Sequence, residues 1–235
     1  MLLFALSIAP GLAISLYIFL KDQFNREPKL KLFICFLLGC LSILPALLLE
    51  IVGGNLVEFL WGKSIYATAI LAYVVVGFSE EFSKYIMVRM YAFPKNTFDE
   101  PFDGIVYCVM VSMGFATLEN IFYVFEHGFA TAIMRMFLSV PAHATFAIIM
   151  GYYVGMAKFD PSRRKALIQN GLLGATFFHG TYDFFLFLGD NNQVTRFVNE
   201  GLLFIGAVAS FIIAIVLSRK AIRIHLNLSQ KQFQG

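Results

Sequence analysis

Apolar runs long enough to cross a hydrocarbon layer recur from one end of this sequence to the other. A crossing takes about 20 residues as a helix, and such stretches leave little room for a separate soluble domain. The 235 residues are 59% hydrophobic and 14% charged, with 27 phenylalanines, a balance foreign to soluble domains. The expectation is an all-α polytopic transmembrane helix bundle of about seven spans, organised as one integral-membrane domain over residues 1–235. The spans are placed at 2–20, 32–52, 65–92, 104–125, 130–157, 166–188 and 197–218. Breaks fall where charge meets proline or turn residues, as in Asn25-Arg26-Glu27-Pro28, Pro94 to Pro101, Asp160-Pro161-Ser162 and Gly189-Asp190-Asn191-Asn192. Leu2 to Leu20 has no basic residue between Met1 and its start and no small-residue cleavage site, so it reads as a retained span.

Alternating the loops between two sides puts 15 of the 18 Lys and Arg residues on one side and leaves Lys63, Arg135 and Arg196 on the other. The rich side is expected to be cytoplasmic, which makes the N-terminus external and the C-terminus internal. The tail from Arg219 onward reads as a cytoplasmic, membrane-proximal segment facing anionic headgroups. Cys35, Cys40 and Cys108 lie in apolar runs without zinc spacing and read as small hydrophobes. The partner expected is the lipid bilayer, with no nucleic acid.

Within the spans six ionisable side chains stand out at similar depth: Glu80, Glu81, Glu119, His143, His179 and Asp183. One charged side chain at a helix centre costs about 2.5 to 3.5 kcal/mol. Four carboxylates therefore call for a shared cause, such as one another's company, a metal ion or a water-filled cavity. His179 and Asp183 stand at i, i+4 and share a helix face, as do Glu80 and Lys84. Pro141 removes a backbone hydrogen bond two residues before His143 and bends that span. Gly114, Gly151, Gly155, Gly171 and Gly174 offer surfaces for close helix packing.

Each residue also has a plainer reading. His143 alone reads as an interhelical hydrogen bond, Glu80 with Lys84 as a buried ion pair, and His179 with Asp183 as an orienting contact. Together, six such groups on four helices form a site. Glu50, Glu58, His127, Arg196, Glu200 and His225 are placed at span ends or outside them, solvated or interfacial. Arg135 either snorkels to the outer face or binds substrate, the first being favoured.

Four segments, Glu80-Glu81-Phe82-Ser83-Lys84, Gly114 to Asn120, Pro141-Ala142-His143-Ala144 and His179 to Phe184, resemble the motifs of the PrsW family of bacterial intramembrane metalloproteases. They occur in the family's order over residues 65–188. That family is similar to the type II CAAX prenyl proteases, whose motifs are a Glu-Glu pair, Phe-x-x-x-His and His-x-x-x-Asn. Here Glu119 replaces the histidine and Asp183 the asparagine, as in the PrsW branch. The resemblance implies a multi-pass endopeptidase of the bacterial cytoplasmic membrane. It makes the first cut in a single-span anti-sigma factor, so that a second intramembrane protease releases the sigma factor.

On that reading His143 and His179 supply nitrogen, and Glu119 and Asp183 oxygen, to a divalent ion. Mixed donors at an open site suit catalytic zinc. Glu119 or Asp183 could instead orient a histidine. Glu80 and Glu81 are the catalytic acids, with Glu81 favoured as general base and Glu80 as partner of Lys84, because adjacent helical residues point about 100° apart. Lys84 and Asn120 support the site. The rival class is a proton-coupled transporter using the same Glu/His chain, which should show repeats that this sequence lacks.

Overall fold

The computed structural model describes residues 1–234, and all regular structure among them is helical. In chain order the helices are α1 (Leu2–Lys21), α2 (Lys29–Trp61), α3 (Ile65–Ile70), α4 (Ser79–Met87), α5 (Pro101–His127), α6 (Phe129–Phe137), α7 (Ser139–Phe159), α8 (Arg164–Gly189), α9 (Asn192–Thr195) and α10 (Glu200–Gln234). Two π-helical segments, Leu71–Phe78 and Val88–Ala92, join α3 and α4 into one continuous helical run from residue 65 to 92. Six helical runs among the described residues are long and apolar enough to cross a membrane. They are α1, α2, the run 65–92, α5, α6 with α7, and α10.

Helix ends follow local chemistry. Pro28 is extended and precedes the first residue of α2, which stops at Gly62 with φ 58°, a left-handed conformation that glycine adopts without steric cost. α5 begins on Pro101, whose missing N–H costs nothing in a first turn. Asp103 Oδ2 accepts hydrogen bonds from the N–H groups of Asp99 and Glu100, both at 2.9 Å.

The expected bend in the fifth span is a full break. α6 and α7 part at Leu138, with φ −115° and ψ −72°. Pro141 has no N–H to offer the carbonyl of Phe137, four residues back, and its ring crowds that oxygen. The second span is longer than expected. α2 runs 33 residues, about 50 Å of helix, past the expected end at residue 52. The tail also differs: α10 continues through Arg219 to Gln234 and packs back on the bundle. His225, read from the sequence as solvated or interfacial, is fully buried and stacks on Tyr152 at 4.6 Å between ring centroids.

α5 is the axial element, its side chains buried from Phe102 to Thr117 without interruption. A helix that is apolar on all sides must be surrounded by protein or lipid, and here protein surrounds it. α2 crosses it with Gly39 against the Val111 carbonyl and Gly114 against the Phe36 carbonyl. α7 crosses it where Gly104 meets Gly151 and Gly155. All five glycines singled out in the sequence lie against a neighbouring helix. By contrast α1, α2 and α10 leave rows of large apolar side chains exposed, among them Leu12, Leu16, Leu44, Leu48, Ile205 and Ile212, as a bilayer-facing surface would.

Because the atoms that a side chain at Gly114 would strike are backbone, the crossing cannot relax by a rotamer change. Gly114→Leu should destabilise the protein by at least the roughly 3 kcal/mol upper end for overpacked cores. Gly189→Ala, where no atom lies within 4 Å of the added carbon, should shift stability by less than about 1 kcal/mol. Thermal unfolding of both variants in detergent checks the contrast.

Candidate metal centre

The π-helical segment Leu71–Phe78 leads directly into the Glu80–Glu81 pair. A π turn inserts a wide step into the helix and is frequent at functional sites. The segment lies against α8 at its tightest point: a Cβ on Gly77 would stand 3.1 Å from the Gly180 backbone nitrogen, and one on Gly180 would strike Tyr73. The Tyr73 and Thr181 hydroxyls are 2.9 Å apart across the same contact. With no side chain on Gly77 or Gly180 to hold the two helices apart, His179 is brought next to the two glutamates.

Lys84 sits at the middle. Its ammonium donates to Glu80 Oε2 at 3.0 Å, to Glu81 Oε1 at 2.8 Å and to His143 Nδ1 at 3.2 Å, which spends all three of its protons. It also lies over the Phe115 ring, 4.1 Å from the centroid. Since an ammonium only donates, Nδ1 of His143 accepts, and Nε2 carries the proton that faces Glu119 Oε2 at 3.0 Å. Ser112 Oγ donates to the His143 carbonyl at 3.0 Å, tying α7 to α5 at that level.

His179 approaches Glu81 Oε1 through Nδ1 at 2.9 Å and Asp183 Oδ2 through Nε2 at 3.2 Å. Its ring stacks on Phe146 at 5.0 Å and stands perpendicular to His143, also at 5.0 Å. Glu80, Glu81, His143 and His179 each offer one donor atom, all within 4.8 Å of one another and all buried. Glu81 Oε2 is buried without a hydrogen-bond partner. Two imidazoles and two carboxylates form the mixed nitrogen and oxygen set that a catalytic divalent ion accepts, so the residues present fit a metal.

The six ionisable residues picked from the sequence thus gather in one place, four at its centre. Glu119 and Asp183 each lie against one of the two histidines. Arg135 does not reach outward: its Nη2 donates to Glu119 Oε2 at 2.7 Å and its Nε to Asn120 Oδ1 at 3.0 Å. Asn120 Nδ2 donates to the Ser7 carbonyl at 2.9 Å, so α1, α5 and α6 are tied together beside the site. Glu50 was misplaced. It lies well inside α2, half-buried, and acts electrostatically on Glu119, His179, Lys84 and Asp183. Its signal was an acid within Leu47-Leu48-Leu49-Glu50-Ile51-Val52, hidden by ending the span at residue 52. Glu58, His127, Arg196 and Glu200 are exposed as expected.

Residues 27–218 match the family described as "PrsW family intramembrane metalloprotease". Relatives named Protease PrsW are similar over most of their length. The protein of Geobacillus kaustophilus (strain HTA426) is 40% identical over 185 residues, covering 78% of this chain and 79% of the relative. That of Bacillus subtilis (strain 168) is 39% identical over 181 residues, 76% and 80% of the two chains. That of Clostridioides difficile (strain 630) is 33% identical over 192 residues, 79% of each. No solved structure matches. These similarities do not favour a transporter. With its buried acid and imidazole cluster and its apolar helices, the chain belongs to the PrsW family of intramembrane metalloproteases, multi-pass hydrolases of the bacterial membrane.

Proposed function

We propose that the protein is a zinc-dependent endopeptidase that cuts a single-span membrane protein inside the bilayer, with Glu81 as general base. The observation that carries this reading is the unpartnered, buried Oε2 of Glu81 beside two imidazoles and a second carboxylate. His143 and His179 would hold the ion, each through a ring nitrogen that would exchange its present hydrogen-bond partner for the metal, together with carboxylate oxygen from their neighbours. A divalent ion held there would supply Lewis acidity toward water and the scissile carbonyl.

The chain's own groups do the rest. Glu81 Oε1 is occupied by Lys84 and His179, which leaves Oε2 to take a proton from water and return it to the leaving amine. Glu80 is held by Lys84. Glu119 and Asp183 each sit on one histidine nitrogen and would fix ring orientation or lend an oxygen. Arg135 in turn holds Glu119.

We place seven spans rather than six, with α8 as the additional one. Its polar residues, Gln169, Asn170, His179, Thr181 and Asp183 among them, lower its hydropathy, yet its 26 residues reach about 39 Å. One end adjoins Lys158, which donates to the carbonyls of Phe93 and Lys95; the other adjoins Asn191, which donates to the carbonyl of Lys63. Lysines and arginines crowd the first of these ends, which we assign to the cytoplasm, leaving the N-terminus outside. The whole of residues 1–235 forms one membrane-embedded protease domain. The substrate class is a single-span anti-sigma factor receiving its first cut, as the motif resemblance implies.

Glu81→Gln should lower cleavage of a candidate single-span substrate by at least about 100-fold without loss of bound metal, while His179→Ala should lose both. Purified protein in detergent, assayed for product and for metal content, decides; normal cleavage by both variants removes the mechanism. Lys84→Met should destabilise chelator-treated protein by roughly 3–5 kcal/mol, the cost of leaving buried charges without their partner. Thermal unfolding with chelator and with added zinc measures this, and the zinc-loaded variant should recover part of the loss.

A further inference from the structure

A second gathering of acids lies about 24 Å along α5 from Glu119, counted at 1.5 Å per residue to Asp103. Asp22, Glu100 and Asp103 each bring a donor atom within 4.8 Å of the others, and none of the three is more than 1% exposed. Glu27, 2% exposed and on the loop between α1 and α2, lies beside this trio and raises the charge of the region without joining the 4.8 Å group.

The arrangement is built rather than incidental. The Glu27 N–H donates to Asp22 Oδ2 at 2.9 Å, and the N–H groups of Asp99 and Glu100 donate to Asp103 Oδ2. The Tyr107 hydroxyl donates to Glu27 Oε2. Each of these three carboxylates therefore has one oxygen pinned, while the other, Asp22 Oδ1, Asp103 Oδ1 and Glu27 Oε1, is buried without a partner.

No ion pair among the described residues includes any of the four acids. The cations that act on them are engaged elsewhere. Arg26 Nε donates to the Asp22 backbone carbonyl at 2.9 Å, and Lys31 Nζ donates to Thr97 Oγ1 at 2.7 Å. Buried carboxylates without an ion pair are costly unless a counter-charge reaches them. Orphaned buried acceptors of this kind call for a ligand.

We propose that Asp22, Glu100 and Asp103, with Glu27 beside them, form the site of a hard divalent cation, Mg²⁺ or Ca²⁺, distinct from the ion of the catalytic centre. Donors that are all oxygen suit these cations, whereas zinc and its neighbours favour nitrogen or sulfur. The ion would clasp the loop after α1 to the start of α5. α10 closes over the same region, with Gln232 Nε2 donating to the Asp99 carbonyl at 2.9 Å. Its role is to fix the axial helix against α1, not to take part in peptide cleavage.

The test uses full-length protein in detergent, stripped with chelator, in wild-type and His179→Ala forms. Equilibrium dialysis with ⁴⁵Ca²⁺ and thermal unfolding across Ca²⁺ and Mg²⁺ titrations are the readouts. We expect saturable uptake of one ion per chain with a dissociation constant below about 1 mM, a rise in Tm that saturates with it, and the same behaviour in His179→Ala. Which cation saturates at lower concentration names the occupant. Asp103→Asn and Asp22→Asn should each weaken uptake at least about tenfold. The proposal is overturned if wild type takes up neither cation up to about 10 mM, the outcome expected of carboxyls that share protons. It is equally overturned if uptake vanishes in His179→Ala or persists unchanged in both acid variants. The wild-type titration decides even where a variant does not fold.

Discussion

An ammonium or a carboxylate taken into lipid must find its counter-charge inside the protein, because no water is there to supply it. Lys84 meets that demand for two glutamates at once, and the neighbouring architecture is what lets it. The contact of Gly77 with Gly180 brings α8 near enough for His179 to reach Glu81. The break before α7 frees the turn that holds His143, whose carbonyl is secured by Ser112 and whose ring lies between Lys84 and Glu119. Arg135 then balances Glu119 at the rim. Remove the requirement for charge balance and there is no reason for these four helical runs to meet at this level.

That requirement is also why so much of the centre was legible in the sequence. Against a background of leucine and phenylalanine, an acid or imidazole at mid-span has no plain structural excuse, so Glu80, Glu81, Glu119, His143, His179 and Asp183 declare themselves by depth alone. Spacing added the His179–Asp183 and Glu80–Lys84 pairs, and both are present. Proline chemistry located the interruption near His143, though not its severity, which depends on how the Phe137 carbonyl is crowded in three dimensions.

What escaped was set by packing rather than by pattern. The π-helical turns have no periodic signature in Leu71-Ala72-Tyr73-Val74-Val75-Val76-Gly77-Phe78, where every residue is apolar or small. Glu50 was discounted because a span was assumed to be no longer than the bilayer requires, whereas α2 overshoots it. His225 lies beyond the last expected span and so reads as solvated or interfacial; the helix instead folds its inner side against Tyr152. α8 falls below the hydropathy of a crossing helix for the reason that makes it informative, namely that it carries reactive groups.

The seclusion of α5 has a consequence for how this chain can vary. From Phe102 to Thr117 the helix is ringed by other helices and does not sense the lipid, so hydrophobicity there ceases to be the quantity that its residues must conserve. Steric size takes over. Small polar residues such as Ser112 and Thr117 sit among its buried side chains, while at Gly104 or Gly114 even a methyl group is an intruder. On the outward faces of α1 and α10 the rule reverses: bulk is free and polarity is penalised. The molecule is thus written in two chemical dialects, and a substitution innocuous in one is ruinous in the other.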